Sequence, residues 1–450
     1  MIAIAKKSQL SGHITVPGSK SHTIRALILA AMAEGTSHIS NPLPSNDCLS
    51  TAAAVKKVGA QVDFGEATGS EAVWTVKGAG TGLHLPDEAI DVGNSGSLMY
   101  FLCPVLSTLK GECTFTGDES ICRRPVNHLI DALCQFGANG RSLNQGPDGA
   151  PGTTPPFSFC GPIDVNKKLV TEGALSQYIS GFMMAASRLN GTLKMELTNP
   201  KETPYLTMTK LWLESVGVPV KISEDFKHIE VTGPVPFKAF DRAVPSDWEG
   251  VAFPLVAALI SGSEITIDNV DGSGSQGDDK IVEVLQSVGA DIDWRREEGK
   301  LIVRGGKKLS TAALPGGTLT VDMSSFPDAI CALAVAACFM EGKVEFTDID
   351  ICRKKETDRI KAMVSELTKL GAKLTDEGDR LVVFGDGGLS LHGGEVESYK
   401  DHRIVMSLAC LGLGLAAGES VTVKDAEWCS VTFPHFFEVM NGIGAGFEVE

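Results

Sequence analysis

The sequence predicts an α/β protein built from six copies of one repeat, with three repeats in each of two domains. The first observation behind this prediction is a pattern that recurs six times: a helix rich in small residues, then a glycine, then a short strand. The glycines of this first series are Gly35, Gly111, Gly191, Gly262, Gly342 and Gly418. The second observation is that another helix follows each strand and ends at a glycine that needs positive φ. The glycines of this second series are Gly59, Gly137, Gly217, Gly289, Gly371 and Gly444.

The two series share one period. Successive glycines of the first series are 71 to 80 residues apart, and one glycine of the second series follows each of them. A repeat of this size is too large for a solenoid and holds enough strands and helices for a small α/β layer. The strands, such as TSHIS and KVEFTDI, alternate apolar with polar residues. This alternation predicts sheets with one solvated face and with helices packed on the other face.

The domain boundaries follow from where the repeats begin and end. The first helix starts after Pro17, and the third repeat ends between Phe237 and Val244. We therefore expect a first domain over 17–240 and a second domain formed by 1–16 together with 241–450, because the first residues are then left to pair with the second half. The segment from Gln145 to Pro156 is rich in Gly, Pro and Thr and predicts a surface loop.

Composition excludes several classes of partner. The net charge of −16 repels phosphate backbones and acidic lipid, so we expect neither a nucleic-acid nor a membrane partner. The start of the chain has no signal-peptide pattern, and the longest nearly apolar stretch, 404–418, is too short to span a bilayer. The eleven cysteines form no C-x-x-C pair or Cys/His cluster, which predicts buried thiols and no metal site, with Cys122 as the alternative candidate for a catalytic thiol. We expect a cytoplasmic protein.

Charged residues that core packing does not require gather at helix starts. Lys20 falls in the first turn of the first helix, and Arg403 follows Asp401 at the start of an almost wholly apolar helix. Cations are unfavourable at helix N-termini, which attract anions. A phosphate or carboxylate bound at these helix starts would resolve the conflict. For Lys20 the plain alternative is a solvated side chain beside a Ser cap.

The densest charged group is the run from Cys352 to Arg359, which opens another helix. Lys355 and Arg359 are four residues apart and Glu356 and Arg359 three, so a helical run would place two cations and a carboxylate on one face. A salt-bridged, solvated first turn is the alternative interpretation. Asp328, at the start of a third apolar helix, is either a favourable first-turn acid or a buried catalytic base.

The segment Gly272 to Gly277 matches G-x-G-x-x-G between a strand and a helix, as dinucleotide-binding sites do. The other five repeats make the same strand-to-helix step without these glycines, so the fold requires no cofactor here. The chain also has no G-x-x-x-x-G-K-[ST] motif. We expect no nicotinamide, flavin or other cofactor.

Seven motifs, in this order, resemble those of the 5-enolpyruvylshikimate-3-phosphate synthase family. They are PGSKSHTIRAL (17–27), GNSGS (93–97), RRP (123–125), LSQ (175–177), KKETDRI (354–360), KDHRIVM (400–406) and TFPHFF (432–437). The resemblance covers nearly the whole chain. It implies the two-domain enolpyruvyl transferase fold, an inside-out α/β barrel of three repeats per domain, with the active site in the cleft between the domains.

The resemblance also implies the reaction. The enolpyruvyl group of phosphoenolpyruvate is transferred to the 5-hydroxyl of 3-phosphoshikimate, and phosphate is released. The reaction needs neither a metal nor a cofactor. The enzyme is expected to be a monomer. The catalytic residues implied are Asp328, Glu356 and Lys20. Phosphoenolpyruvate would be bound by Lys20, Asn94, Gly96, Arg124, Gln177, Arg359 and Arg403. 3-Phosphoshikimate would be bound by Lys20, Ser21, Arg25, Ser176, Gln177, Tyr205, Asp328 and Lys355.

The chain departs from the family pattern mainly on the acceptor side. Tyr100 stands where the family usually has Arg, and Leu175 and Glu202 replace serines that touch the phosphate of the acceptor. A carboxylate at 202 would repel that phosphate. The remaining departures are Trp248, Glu249 and Gly250 in a D-x-S-S-A segment and Val431 in place of a lysine.

These departures leave other acceptors open. An enolpyruvyl transferase for a differently substituted, shikimate-like acceptor fits them. The sugar-nucleotide branch of the fold is disfavoured, because it uses a cysteine where this chain has Glu119 and lacks the KETDR and DHR motifs. A non-catalytic anion-binding protein is disfavoured because binding alone needs no acid and base set of Asp328, Glu356 and Lys20.

Overall fold

The structure is a computed structural model that describes residues 1–67, 72–146, 149–150 and 152–450. Three residues of the predicted surface loop, 147, 148 and 151, lie outside the described residues. The chain divides into two compact units. The discontinuous unit comprises Met1–Pro17 and Pro245–Glu450, and the continuous unit comprises Gly18–Val244.

The first two strands belong to the discontinuous unit, and the elements of the continuous unit follow them. The strands are β1 (Ile2–Lys6) and β2 (Ser11–Thr15). The first repeat of the continuous unit has α1 (Lys20–Met32), β3 (Thr36–Ser40), α2 (Asn46–Lys57), β4 (Gln61–Asp63) and β5 (Val73–Lys77). The second has β6 (Ile90–Asp91), α3 (Gly96–Leu106), β7 (Gly111–Thr116), α4 (Asn127–Gln135), β8 (Asn139–Ser142) and β9 (Phe157–Gly161). The third has β10 (Lys168–Thr171), α5 (Ser176–Ala186), β11 (Gly191–Leu197), α6 (Thr203–Ser215), β12 (Val220–Ile222) and β13 (His228–Gly233), and β14 (Asp241–Ala243) follows it.

Three further repeats complete the discontinuous unit. The fourth has α7 (Trp248–Ser261), β15 (Glu264–Asp268), α8 (Ile281–Ser287), β16 (Asp291–Arg295) and β17 (Lys300–Arg304). The fifth has β18 (Thr318–Asp322), α9 (Ile330–Cys338), β19 (Glu341–Thr347), α10 (Arg359–Lys369), β20 (Lys373–Asp376) and β21 (Arg380–Asp386). The sixth has β22 (Gly394–Val396), α11 (His402–Gly414), β23 (Ser420–Lys424), α12 (Phe436–Gly442) and β24 (Glu448–Val449).

Each repeat forms a four-stranded sheet with the same topology: one parallel pair followed by two antiparallel pairs. The strand orders in the continuous unit are β14-β3-β5-β4, β6-β7-β9-β8 and β10-β11-β13-β12. Those in the discontinuous unit are β2-β15-β17-β16, β18-β19-β21-β20 and β22-β23-β1-β24. The sixfold repeat predicted from the sequence is therefore confirmed.

The glycines behave as the repeat requires. All twelve glycines of the two series have positive φ, from 71° at Gly262 to 146° at Gly191. The strands also alternate as predicted: in β3, Ser37 and Ile39 are buried and their neighbours are not. One face of each such strand therefore packs on helices.

The first helix of each repeat forms the core of its unit. In the continuous unit α3 contacts both α1 and α5, and in the discontinuous unit α7, α9 and α11 contact one another. These helices are largely apolar, and α9 and the stretch His402 to Leu413 of α11 are buried throughout. Within the described part of the chain, no helix is long and apolar enough to cross a membrane.

Candidate functional site

The densest charge cluster lies in the discontinuous unit around the carboxylate of Asp328. Lys355 donates from Nζ to Asp328 Oδ2 at 3.1 Å, Arg359 donates from Nη1 to Oδ1, and Arg403 donates from Nε to Oδ1 at 3.2 Å. Asp328 lies in a single 3₁₀ turn, Pro327–Ala329, directly before α9. The start of α9 thus holds a carboxylate that three cations share.

Further carboxylates surround the two arginines. Arg359, whose side chain is fully buried, donates to Glu356 at 2.7 Å and from Nε to Asp401 at 2.8 Å. Asp401 also caps α11 by accepting from the backbone N–H of Arg403 at 2.9 Å. Arg403 forms a second ion pair through Nη2 with Glu249. We call the set Glu249, Asp328, Lys355, Glu356, Arg359, Asp401 and Arg403 the Asp328 cluster.

The cluster keeps Asp328 ionised. Burial alone raises the pKa of this carboxyl, but the nearby charges of Lys355 and Arg359 outweigh it and lower the pKa to about 2. Burial lowers the pKa of Arg359, whereas the charges of Asp401, Glu356 and Asp328 raise it. The carboxylates outweigh burial, so the pKa lies well above its usual value. At neutral pH both side chains are charged.

Lys355 and Glu356 do not lie on the helix that follows them. A 3₁₀ turn covers Ile351–Lys354, and α10 begins only at Arg359, with Asp358 as its N-cap accepting from the backbone N–H of Lys361 at 3.0 Å. The expectation of one shared helical face is therefore wrong. Both residues still reach the cluster, because the turn before the helix brings them to Asp328 and Arg359.

The G-x-G-x-x-G segment and the preceding Asp271 form hydrogen bonds with the start of α7. Gln276 accepts from the backbone N–H of Trp248 at 3.0 Å, and the carbonyl of Asp271 accepts from the Trp248 indole at 2.7 Å. The carboxylate of Asp271 accepts in turn from Ser275 and Gln276, each at 3.0 Å. The polar groups of this segment thus bind one another and the residue next to Glu249.

In the continuous unit, Lys20 at the start of α1 lies against a carboxylate of the protein itself. Its Nζ is 3.3 Å from Asp47 Oδ2, and both side chains are largely buried. Asp47 stands in the first turn of α2, where an acid is favourable in any helix. Because an acid at this position is ordinary, the pairing of Asp47 with Lys20 could not be predicted from the sequence.

Arg25 is buried in the continuous unit, where its guanidinium has several partners. It donates to Thr209 Oγ1 at 2.8 Å and to the carbonyls of Ser21 and Tyr205 at 2.9 and 3.3 Å, and it lies over the ring of Phe101. Burial lowers the pKa of Arg25 to about 9, against the opposing effects of Tyr205 and Glu202. The side chain remains a cation at neutral pH.

The carboxylate of Glu202, the residue before α6, lies at the N-terminus of α5. Its Oε2 accepts from the backbone N–H of Ser176 at 3.2 Å and from the Ser176 hydroxyl at 3.0 Å. Glu202 is 1% exposed and has a left-handed backbone with φ of 50°, which is uncommon for this residue type. Next to Ser176, the buried Oε1 of Gln177 has no hydrogen-bond partner in the described part of the protein. The anion-attracting helix start is thus filled by a protein carboxylate.

Arg124 and Asn94 meet at the start of α3. Arg124 donates from Nη2 to Asn94 Oδ1 at 3.1 Å and to Ser120 Oγ at 3.2 Å. A Cβ atom at position 96 would lie 3.5 Å from Nη1 of Arg124, at ordinary van der Waals distance from the guanidinium. Tyr100, one turn along α3, is buried, and burial raises the pKa of its phenol. Position 100 therefore holds a neutral side chain.

Comparison with known proteins identifies the family. The sequence model of the family described as EPSP synthase (3-phosphoshikimate 1-carboxyvinyltransferase) matches residues 4–440. The chain belongs to the EPSP synthase family. A 3-phosphoshikimate 1-carboxyvinyltransferase of Ruminiclostridium cellulolyticum is 35% identical over 450 residues, covering 100% of both chains. One of Methanococcus aeolicus is 35% identical over 457 residues, again covering 100% of both.

Solved structures agree with this family. An EPSP synthase from Acinetobacter baumannii superposes with a TM-score of 0.80 at 29% identity, covering 100% of this chain and 99% of the other. The enolpyruvyl transferase NikO from Streptomyces tendae superposes with a TM-score of 0.74 at 16% identity, covering 99% and 98%. The expected enolpyruvyl transferase fold is confirmed, and the chain is an enzyme of the EPSP synthase family.

For this EPSP synthase family member, the sequence indicated the cations together with Asp328 and Glu356, but not the pairing of Lys20 with Asp47 or of Arg403 with Glu249. Lys355, Arg359 and Arg403 converge on Asp328 within one unit. Glu249 was noted only as a departure from the family pattern, and its contact with Arg403 joins distant segments of the chain. No group of three or more potential metal ligands occurs among the described residues.

Proposed function

We propose that the chain transfers the enolpyruvyl group of phosphoenolpyruvate to the 5-hydroxyl of 3-phosphoshikimate and releases phosphate. The observation that carries this proposal is the carboxylate of Asp328, held ionised among Lys355, Arg359 and Arg403. A binding protein for anions would need the cations alone. A base surrounded by cations suits a reaction in which a hydroxyl must lose its proton beside anionic substrates.

The chemistry divides into addition and elimination. The 5-hydroxyl oxygen bonds to C2 of phosphoenolpyruvate and gives its proton to Asp328, while C3 gains a proton. The tetrahedral intermediate then expels phosphate from C2 and loses a proton from C3, which restores the double bond. We assign the proton transfers at C3 to Glu356 together with Lys20. This assignment requires residues of both units to act on the same substrates.

The binding roles follow the charge of the two substrates. Each substrate carries a carboxylate and a phosphate of about −1.5 to −2. We assign phosphoenolpyruvate to a set of cationic and small polar residues: Lys20, Asn94, Gly96, Arg124, Gln177, Arg359 and Arg403. We assign the acceptor to Lys20, Ser21, Arg25, Ser176, Gln177, Tyr205, Asp328 and Lys355. No cofactor or metal takes part in this scheme.

A second candidate is enolpyruvyl transfer to a shikimate-like acceptor that lacks the 3-phosphate. The contact between Glu202 and Ser176 favours it, because a carboxylate already accepts both hydrogen bonds that Ser176 offers. A phosphate approaching the same donors would meet a buried negative charge. Among the described residues the Oε1 of Gln177 has no hydrogen-bond partner, which suits a donating hydroxyl on the acceptor rather than a further anion.

Phosphate release from phosphoenolpyruvate separates these candidates. The full-length protein is offered 3-phosphoshikimate, shikimate or UDP-N-acetylglucosamine in separate reactions. Release with 3-phosphoshikimate is expected; release with shikimate alone would establish the second candidate, and no release with any acceptor would refute both.

A Glu202→Ser variant sharpens the comparison. Removing the carboxylate should lower the KM for 3-phosphoshikimate by about tenfold, which corresponds to about 1.4 kcal/mol, and leave the KM for shikimate nearly unchanged. Glu172→Gln, an exposed carboxylate of the same repeat, is the control for loss of one charge.

We further propose that the enzyme acts as a monomer in the cytoplasm with two small-molecule substrates. The net charge of −16 supports the expectation that neither nucleic acid nor an anionic membrane is a partner.

A further inference from the structure

We propose that Glu249 is a built-in counter-ion of Arg403 that phosphoenolpyruvate must displace, so that Glu249 sets the affinity of the enzyme for this substrate. The inference rests on the proposed function in one respect, the assignment of Arg403 to phosphoenolpyruvate. Everything else in it concerns contacts within the discontinuous unit.

The guanidinium of Arg403 lies between two carboxylates. Its Nη2 pairs with Glu249, and its Nε donates to Asp328 at 3.2 Å. The side chains of Arg403 and Glu249 are 3% and 10% exposed, so little water screens the pair. An anionic substrate that uses Arg403 therefore competes with a carboxylate already in place.

The charge of the whole cluster makes this competition costly. Three cations, Lys355, Arg359 and Arg403, face the four carboxylates of Glu249, Asp328, Glu356 and Asp401, so +3 and −4 leave a formal charge of −1. A cluster of this sign repels a substrate with a carboxylate and a phosphate. Removing the charge of one carboxylate brings the cluster to neutrality.

Glu249 is better suited to give way than Asp328 or Asp401. Asp328 is shared by three cations. Asp401 is fully buried, pairs with Arg359 and caps α11. Moving either one would break several interactions at once. A rotation of the Glu249 side chain would release Arg403 and leave those interactions in place.

The backbone next to Glu249 is held in place during such a rotation. Asp247 caps α7 by accepting from the backbone N–H of Glu249 at 3.2 Å. Trp248 is fixed through its backbone N–H by Gln276 and through its indole by the carbonyl of Asp271. The first turn of α7 therefore stays in position while the Glu249 side chain moves. This gives the G-x-G-x-x-G segment a role in placing a counter-ion.

The test compares the KM for phosphoenolpyruvate with the KM for 3-phosphoshikimate in the Glu249→Gln variant. This substitution keeps the shape of the side chain and removes its charge. Initial rates of phosphate release are measured with each substrate varied in turn. The KM for phosphoenolpyruvate should fall by about tenfold, whereas the KM for 3-phosphoshikimate should change by less than about twofold. Glu249→Ser should behave in the same way, and Glu264→Gln, an exposed carboxylate of the same unit, should leave both constants unchanged.

Two results would overturn the proposal. A raised or unchanged KM for phosphoenolpyruvate in both Glu249 variants would show that the carboxylate does not compete with the substrate. A lowered thermal midpoint with a lower kcat and an unchanged KM would show a purely structural role.

Failure of the proposed function would look different. If the wild-type protein releases no phosphate with any acceptor, phosphoenolpyruvate is titrated by calorimetry into the wild type and Glu249→Gln. Tighter binding to the variant supports the counter-ion role, and equal or weaker binding, or no binding to either protein, refutes it.

Discussion

Asp328 combines two properties that oppose each other at the scale of a single residue. Its pKa of about 2 keeps it ionised, yet a carboxylate with so low a pKa is a weak base. The low value comes from Lys355 and Arg359, which are also the cations proposed to bind the substrates. When substrate anions engage these cations, the pKa of Asp328 should rise. The base would thus gain strength only when the substrates are bound.

Asp328→Asn tests both properties. Turnover at neutral pH should fall by at least about 100-fold, the usual contribution of a general base. The folded-state pKa lies below the unfolded value, so the stability that the carboxylate contributes is present above about pH 4 and is lost as the pH falls toward 2. The wild type should therefore lose about 2 kcal/mol more than Asp328→Asn over this range.

Thermal midpoints measured at a series of pH values provide the check. Asp379→Asn, which changes an exposed carboxylate of the same unit, is the control and should keep both the activity and the acid sensitivity of the wild type. Equal acid sensitivity of wild type and Asp328→Asn would contradict the stability assignment. Full activity of Asp328→Asn would contradict the role as base.

The sequence predicted the cations of the site better than their counter-ions. Lys20 and Arg403 stand out because a positive charge at the N-terminus of a helix is unfavourable in any fold. Their partners Asp47 and Glu249 occupy first turns, where acids are ordinary, and reach the cations only through tertiary packing. A local pattern therefore shows that a charge needs a partner, but it does not show which one.

At the scale of the element, the glycine that ends the second helix of each repeat is a conformational requirement. In α12, Gly442 is the last helical residue, whereas Gly444 follows the C-cap with φ of 101°. A side chain at 442 would meet nothing within 4 Å, and one at 444 would lie 2.9 Å from the carbonyl oxygen of Gln9. The two positions, two residues apart, should respond to alanine in opposite ways.

Gly442→Ala should stabilise the protein by roughly 0.5–1 kcal/mol, because alanine favours the helix. Gly444→Ala should destabilise it by at least about 1–2 kcal/mol, because a side chain disfavours the left-handed backbone. Urea unfolding of both variants and the wild type measures the difference. Equal effects of the two substitutions would show that the backbone conformation at 444 is not what selects glycine.

Helices and strands were predicted well where apolar and polar residues alternate regularly, and less well where a short turn precedes the element. The alternation of TSHIS predicted β3 over its full range, Thr36–Ser40. By contrast, the charge run before α10 has no periodic pattern. The spacing of Lys355, Glu356 and Arg359 predicted that all three lie on one helix, but the helix begins only at Arg359. The N-cap at Asp358 decides where that helix starts, and its Asp-Arg-Ile sequence is the signal that would have found it.

At the scale of the whole molecule, the two units differ in how the chain supplies them. The continuous unit takes every strand of its three sheets from 18–244. The discontinuous unit needs β1 between β23 and β24, and β2 beside β15. Ala3, Ala5 and Ile14 of these two strands are buried in its core.

Separate expression of the two segments tests this dependence. The fragment 18–244 should fold cooperatively by itself, whereas 245–450 should not, because one of its sheets is interrupted and its core lacks several apolar side chains. Circular dichroism in a urea titration measures the cooperativity of each fragment. A peptide of residues 1–17 added to 245–450 should restore cooperative unfolding, and a peptide of the same composition in scrambled order should not. Cooperative folding of 245–450 without the peptide would contradict the prediction.

The position of β1 between β23 and β24 has a consequence for synthesis on the ribosome. β1 is translated long before its two partners, since β23 and β24 begin at Ser420 and Glu448. The nascent chain completes 18–244 long before the residues of β1 can pair. Those residues must wait as an exposed strand, which is a liability for aggregation. Lys6 and Lys7, at the end of this strand, place two charges where an unpaired edge would otherwise attract other chains.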